Sequence, residues 1–277
     1  MPSPMSRPAT ETESAASLPP APDVPLSPTP DEVATPDVAE AGNGTNPLAQ
    51  APAEPPLNLE AWPQQGRVRY QSSYWGMPVE GEQRWSHDGA RFNASLTGTV
   101  PVKGELLRQA ATGHISGGRP VSEQFSETFN RNQFETQFAS DGSKLIQVRK
   151  GALREVPTEG YALDMLALTH FVAMQPPDVP AFDVMVVTFR GSISRVTVQQ
   201  FPAAEIELPA GKTMARRFHA MGNKGRLKID VWLSSDWRNA PVRIRVEDDG
   251  GAYDLKADEV EIDGALLAKA PIGSGVD

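Results

Sequence analysis

The chain has 277 residues, no cysteine and a formal net charge of -9 at pH 7. Without cysteine it has no disulfide framework, no thiolate nucleophile and no zinc-finger or iron–sulfur site. A pI near 5.1 argues against a nucleic-acid-binding protein, which needs a basic face. No stretch approaches the roughly 18 to 20 apolar residues of a membrane helix, so we expect neither a nucleic-acid partner nor a transmembrane segment.

Residues 1–60 differ in composition from the rest of the chain. They contain 14 of the 26 prolines, nine acidic residues, one arginine and no Phe, Trp or Tyr. Such a segment cannot bury enough apolar surface to offset its ordering entropy, so we predict a disordered, Pro-rich leader with polyproline character. A tether is one interpretation of this leader, and a segment without a role is the other. We expect one folded domain over 61–264 and a flexible C-terminal tail over 265–277.

The folded part begins with an alternating run, Arg67–Gln71, and short alternating runs continue along the chain between turn residues. This pattern predicts antiparallel β-strands. Residues 227–233 and 242–246 should pair as a hairpin, as should 133–138 and 145–149, whose Asp-Gly turn accepts positive φ. In the last strand the apolar parity shifts between Ala257 and Val260, which predicts a β-bulge near Asp258 or Glu259.

One segment, Tyr161–Gln175, has helical spacing instead, and Pro176 and Pro177 end it. Its residues are apolar on nearly all sides, so the helix should be largely buried. The run Val184–Phe189 has apolar residues at both parities, which a strand tolerates when both faces are covered. We therefore predict an all-β fold with one main helix: a curved antiparallel sheet or partly closed β-barrel of about ten to twelve strands, with the helix packed on or in the sheet.

Common catalytic and cofactor motifs are absent. The sequence has no HExxH metal site, no GxSxG elbow, no P-loop and no GxGxxG after a strand. We therefore assign no catalytic residue, no metal site and no cofactor, and we favour a protein that is not an enzyme. His170 lies on the apolar stripe of the predicted helix, where a hydrogen-bonded core histidine is a better interpretation than a general base.

Four phenylalanines on two neighbouring predicted strands are the candidate ligand-binding residues: Phe125, Phe129, Phe134 and Phe138. Together they could line a pocket for an apolar ligand, and an aromatic core is the alternative. Glu123 and Glu127 fall on one face of the first of these strands, about 13 Å apart, too far for a glycosidase pair. Asp236 should cap the turn of the later hairpin by accepting backbone N–H groups.

The outward parity of that later hairpin presents four basic residues beside Trp232. An anionic headgroup or a saccharide could bind such a strip. Asp230 and Glu247 share its face, so a mixed, solvated surface is the better interpretation. The basic residues are Arg226, Lys228, Arg243 and Arg245.

The segment Val231–Ile244, together with the Gly66–Tyr70 strand and the Trp75-Gly76 turn, resembles the bacterial family called domain of unknown function 3108. The resemblance spans residues 61–264 and implies a cell-envelope protein of Gram-negative bacteria with an antiparallel, barrel-like β-fold. Members usually begin with an export signal or membrane anchor, which this chain does not display. The family has no established activity, so no catalytic residue can be transferred. The layout is also similar to that of periplasmic lipoprotein carriers.

Three hypotheses for the function follow. The first is a non-enzymatic periplasmic or envelope-associated protein that binds an apolar or amphiphilic ligand or a protein partner, with a lipid, a saccharide and an envelope protein as candidates. The second is a hydrolase or lyase acting on an envelope polymer through carboxylates such as Glu123, Glu127 or Asp236. The third is a structural docking module without a ligand. An apolar cavity favours the first, converging carboxylates the second and a solid core with an apolar patch the third.

Overall fold

The computed structural model describes residues 57–74, 76–101, 103–149, 151–249 and 251–271. Most of the predicted leader, residues 1–56, and residues 272–277 of the predicted tail lie outside the described residues. The described part is an all-β fold with one helix, as predicted, and it contains sixteen strands in a single sheet.

The sixteen strands exceed the predicted ten to twelve because some carry no alternating signal. Strand β8, for example, is exposed at five of its six positions. The strands are β1 (Gln65–Tyr74), β2 (Met77–His87), β3 (Arg91–Val100), β4 (Gly104–Ser116), β5 (Arg119–Phe129), β6 (Asn132–Phe138), β7 (Lys144–Arg149), β8 (Ala152–Pro157), β9 (Ala162–Asp164), β10 (Phe182–Val187), β11 (Ile193–Leu208), β12 (Gly211–Gly222), β13 (Leu227–Ser234), β14 (Ala240–Asp248), β15 (Gly251–Ile262) and β16 (Ala265–Lys269); the helix α1 is Met165–Ala173.

The sheet consists of two meanders joined by the β1–β15 pair. Its order is β8-β7-β6-β5-β4-β3-β2-β1-β15-β14-β13-β12-β11-β10-β9, with β16 added on β15. All pairs are antiparallel except β9–β10, which is parallel. The chain passes through α1 between these two strands, since a parallel pair needs a crossover connection. Apart from this one parallel pair, the described strands form the antiparallel sheet that we predicted.

Helix α1 lies inside the curve of the sheet, where it contacts β3, β4, β5, β9 and β10. All nine of its residues are buried, as predicted. It begins at Met165 rather than Tyr161 because Asp164 is its N-cap, accepting a hydrogen bond from the Ala167 N–H at 2.8 Å. No helix in the described ranges has the length and apolar character needed to cross a membrane.

The two ends of the sheet overlap without pairing edge to edge. Strand β9 lies against β5, where the Ser122 hydroxyl donates to the Asp164 carboxylate at 2.5 Å. The Tyr161 hydroxyl also donates to the carbonyl of Pro120. The result is a partly closed barrel whose interior contains the helix.

The predicted hairpins and the late bulge are confirmed. Strands β13 and β14 pair, as do β6 and β7, and Asp258 is the extra residue of β15 opposite β1. Strand β16 pairs with β15 beyond residue 264, and the Asn58 N–H donates to the Met174 carbonyl at 2.9 Å.

Candidate functional site

The turn between β10 and β11 closes one end of the barrel by docking onto β5, β6 and β7. It contains the 3-10 turn Phe189–Gly191, in which Arg190 has φ 57° and ψ 28°. The Arg190 N–H donates to Glu127 Oε1 at 2.7 Å. Gln147 Nε2 donates to the Gly191 carbonyl at 2.8 Å. Two side chains of the opposite strands therefore hold the backbone of this turn, which we call the closing turn.

Glu127, one of these two side chains, is 1% exposed and points into the barrel. It also accepts a hydrogen bond from Gln109 Nε2 at 2.7 Å. Burial raises the pKa of Glu127, although the two hydrogen bonds and the positive charge of Arg190 oppose the shift. The Oε1 atom of Gln109 has no hydrogen-bond partner among the described residues. Glu127 is thus placed to position a turn.

An apolar cavity of about 340 Å³ lies beside the closing turn. Its polar border includes Arg190, Asp248 and the residues Ser72 and Ser73. We call it the apolar cavity, and it is large enough for an apolar group of a small ligand. Its main apolar side chains are Val79, Leu96, Leu107, Phe129, Phe189 and Leu255.

A second cavity of about 280 Å³ adjoins the first, because Phe129 and Arg190 line both. The two-residue turn Asn130-Arg131, with φ values of 46° and 68°, connects β5 to β6 at this point. We call the second space the arginine cavity because two arginines line it. The lining residues are Phe129, Asn130, Asn132, Gln133, Phe134, Arg149 and Arg190.

The four candidate phenylalanines are distributed over this region without forming one continuous lining. Phe129 lines both cavities, and Phe134 lines the arginine cavity. Phe125 is 1% exposed and belongs to the core, while Phe138 packs against the core from a partly buried position. The ligand-binding prediction therefore applies best to Phe129 and Phe134.

The three candidate carboxylates are bound to different partners. A bulge between Ser122 and Gln124 makes Glu123 the extra residue of β5. Glu123 therefore lies on the outer face, where it binds Arg91 and His114. The prediction that it shares a face with Glu127 is wrong. Asp236 accepts from the Met214 N–H at 2.8 Å. Asp236 therefore binds β12 instead of capping its own turn, so that prediction is wrong. Within the turn the Ser234 hydroxyl accepts the Trp237 N–H.

His170 is buried at the centre of the barrel, as predicted, and stacks on Trp62 with ring centroids 4.6 Å apart. Burial lowers its pKa to about 3, so the imidazole is neutral near pH 7. Its Nε2 atom, the Nδ1 atom of His87 and the Nε1 atom of Trp62 have no hydrogen-bond partner among the described residues. The hydrogen bond that we predicted for His170 is therefore not formed at its Nε2 atom.

The outward face of β13 and β14 is a mixed surface, as we predicted. Trp232 lies between the guanidinium groups of Arg217 and Arg243, which are 5.4 and 4.6 Å from its ring centroid. Both arginines also pair with carboxylates, those of Asp230 and Asp254. Because the cations of this strip are already neutralised, it is a weaker candidate site than the two cavities.

No protein-family model and no curated protein sequence matches this chain. Among solved structures, the chain is similar to a β-barrel-like protein of domain of unknown function DUF1849 from Brucella abortus. The sequence identity is 8% and the TM-score 0.47, over 73% of this chain and 98% of the other. At this identity the similarity says nothing about ligand or activity.

The sequence interpretation missed the closing turn and the polar side chains that hold it. Gln109, Glu127, Thr136 and Gln147 are buried at inward positions of consecutive strands β4 to β7. Repeated polar residues at inward parity were the available signal, because buried polar groups need a partner from elsewhere in the chain. For Glu127 and Gln147 that partner is the closing turn, which is distant in sequence.

Proposed function

We propose that this protein is a non-enzymatic binding protein of the cell envelope whose barrel holds an apolar or amphiphilic ligand in the apolar cavity. The observation that carries the proposal is the cavity itself: about 340 Å³ bounded mainly by Leu, Val and Phe side chains. Well-formed apolar cavities with a few polar groups at the border are the usual form of small-ligand sites.

The placement of the carboxylates supports a binding role over a hydrolytic one. Glu127 is committed to the closing turn, Glu123 to an outer ion pair and Asp236 to the start of β12. A hydrolase of the glycosidase type needs two carboxyl groups within about 10 Å in one cleft, and these three groups belong to different parts of the fold. The envelope location is supported by the resemblance to domain of unknown function 3108.

The test combines fractionation with native mass spectrometry of the full chain purified from its own host. We expect the protein in the envelope or periplasmic fraction, with a mass above that of the polypeptide and an organic-extractable lipid-like molecule. Recovery from the cytosol would contradict the location alone. A clean polypeptide mass after gentle purification would contradict the ligand.

Two matched variants locate the ligand. Gly98 lies on β3 and lines the apolar cavity, and a Cβ there would meet Leu107 and Val79 at 3.4 and 3.7 Å, ordinary contact distances. Gly98→Leu should therefore fill the cavity and remove the bound molecule. Thr99→Leu adds the same side chain at the next, exposed position and should retain it. Equal occupancy in the two variants would place the ligand elsewhere.

A further inference from the structure

We propose that the ligand of the apolar cavity has an anionic headgroup, a phosphate or a carboxylate, and that Arg149 and Arg190 bind this headgroup in the arginine cavity. This inference rests on the function proposed above and names the ligand class for the same site. The two cavities share Phe129 and Arg190, so one amphiphile can place its apolar part in the first and its head in the second.

The first argument is the charge of the arginine cavity. Its seven lining residues include two arginines, two asparagines and one glutamine, and no acidic residue. The lining of the apolar cavity, in contrast, includes the carboxylate residue Asp248. An anion is therefore favoured at the arginine end, where the cations are not opposed by a carboxylate in the lining.

The second argument is the state of the two arginines. Many arginines of the described surface pair with carboxylates, among them Arg67, Arg91 and Arg243. In the described residues no carboxylate forms an ion pair with Arg149 or Arg190. Their guanidinium carbons lie over phenyl rings instead, Arg149 over Phe134 and Arg190 over Phe129, each 5.3 Å from the ring centroid.

The N–H donors of both guanidinium groups are available. In the described residues neither the Arg149 nor the Arg190 side chain donates a hydrogen bond, and both guanidinium carbons lie over phenyl rings. These donors form a fork that matches a phosphate or carboxylate. Holding the side chain against a ring also lowers the entropy lost on binding.

The third argument is the backbone at Arg190. Its left-handed φ of 57° is unusual for a residue other than glycine and is maintained by the buried side chain of Glu127, which binds its N–H. A glycine at position 190 would adopt this backbone more readily, but it would have no guanidinium group. The closing turn thus places Arg190 where it lines both cavities, and the hydrogen bond from its N–H to Glu127 stabilises its left-handed backbone.

The test measures dissociation constants by isothermal titration calorimetry on the full chain with ligand removed. The probes are dodecyl phosphate, the neutral dodecyl maltoside and inorganic phosphate, with both amphiphiles kept below their critical micelle concentrations. We expect dodecyl phosphate to bind more tightly than the maltoside. Arg149→Gln and Arg190→Gln should each weaken dodecyl phosphate about tenfold, the usual effect of one charge-assisted hydrogen-bond pair, and leave the maltoside unchanged.

Arg154→Gln is the matched control, since Arg154 is exposed on the neighbouring strand β8 and lines neither cavity. Equal binding of the two amphiphiles, unaffected by either cavity arginine, would overturn the headgroup assignment while the proposed function stands. Absence of binding by both amphiphiles would overturn both. Inorganic phosphate is the third probe. If it binds as tightly as dodecyl phosphate and Gly98→Leu does not affect its binding, the site is a free-anion site, and the proposal of an amphiphilic ligand is overturned.

Discussion

Strands β13 and β14 belong to one meander of the sheet and strands β5 to β7 to the other, and their inward faces differ in chemistry. The inward side chains of residues 227–233 of β13 and 242–246 of β14 are all aliphatic and buried. The inward face of β5 to β7 includes the buried polar residues Glu127, Thr136 and Gln147. The first region stabilises the barrel by burial alone, whereas the second depends on a partner, the closing turn.

Both cavities lie beside the closing turn. Buried polar residues must satisfy their hydrogen bonds, and Glu127 and Gln147 do so by holding the backbone of this turn. Both cavities border Arg190 in this segment.

The largest expected effect comes from breaking the aliphatic region. Ile229 is 1% exposed and pairs with Val246 across the hairpin. Ile229→Ala should lower the free energy of unfolding by about 2 to 5 kcal/mol, because it removes buried methyl groups and leaves a void. Chemical denaturation measures this change. Binding of dodecyl phosphate below the transition should stay unchanged, since Ile229 lines neither cavity.

The control for this variant is Lys228→Ala at the adjacent, outward position. Lys228 forms a partly exposed ion pair with Glu247 at 2.9 Å, and such pairs contribute less than about 1 kcal/mol. A cost for Lys228→Ala comparable with that of Ile229→Ala would show that outer ion pairs, and not the aliphatic face, stabilise this hairpin.

A smaller effect is expected at the end of the same hairpin. Asp236→Ala removes the acceptor of the Met214 N–H and of the Thr213 hydroxyl. Because Asp236 is exposed, water can replace part of this loss, and we expect a decrease of about 1 kcal/mol in the free energy of unfolding. Asp249→Ala, which removes only an exposed ion pair with Arg226, should have a smaller effect. Equal melting temperatures for wild type and Asp236→Ala would contradict a stabilising role for these two hydrogen bonds to β12.

The aliphatic region could be predicted from the sequence because its signals are local. Period-two alternation identified β13 and β14, and the parity shift located the bulge at Asp258. The helix was also evident, but its first turn was not. Residues 162–164 pair with β10, and this tertiary pairing overrides their local helical spacing.

The polar region could be predicted only in part. The β6–β7 hairpin followed from its Asp-Gly turn, whereas the bulge at Glu123 carried no apolar parity shift to reveal it. That bulge decides which carboxylate faces inward. Phe129 and Phe134 were identified as candidates, but Arg149 and Arg190 were not, because their convergence depends on contacts between strands far apart in the chain.

The smallest effect on the free energy of unfolding is expected in the polar region, at Glu127. A carboxyl group whose pKa is raised by burial keeps its proton to a higher pH in the folded protein than in the unfolded chain. Between the ordinary value of 4.5 and the raised value the folded state binds more protons, so the free energy of unfolding falls as the pH rises through that window. Glu127→Gln should flatten this dependence.

The amide fits the same hydrogen bonds. The oxygen of the new amide can accept the Arg190 N–H. If the Gln109 amide rotates by half a turn, the nitrogen of the new amide can donate to Gln109 Oε1, which otherwise lacks a partner among the described residues. We therefore expect Glu127→Gln to raise the free energy of unfolding at pH 7 by less than about 1 kcal/mol. Denaturation at a series of pH values measures both changes, with Glu135→Gln, an exposed carboxyl on β6, as the control. An unchanged slope in Glu127→Gln would mean that the buried carboxyl is not the titrating group, and that the charge of Glu127 does not affect the stability of this region.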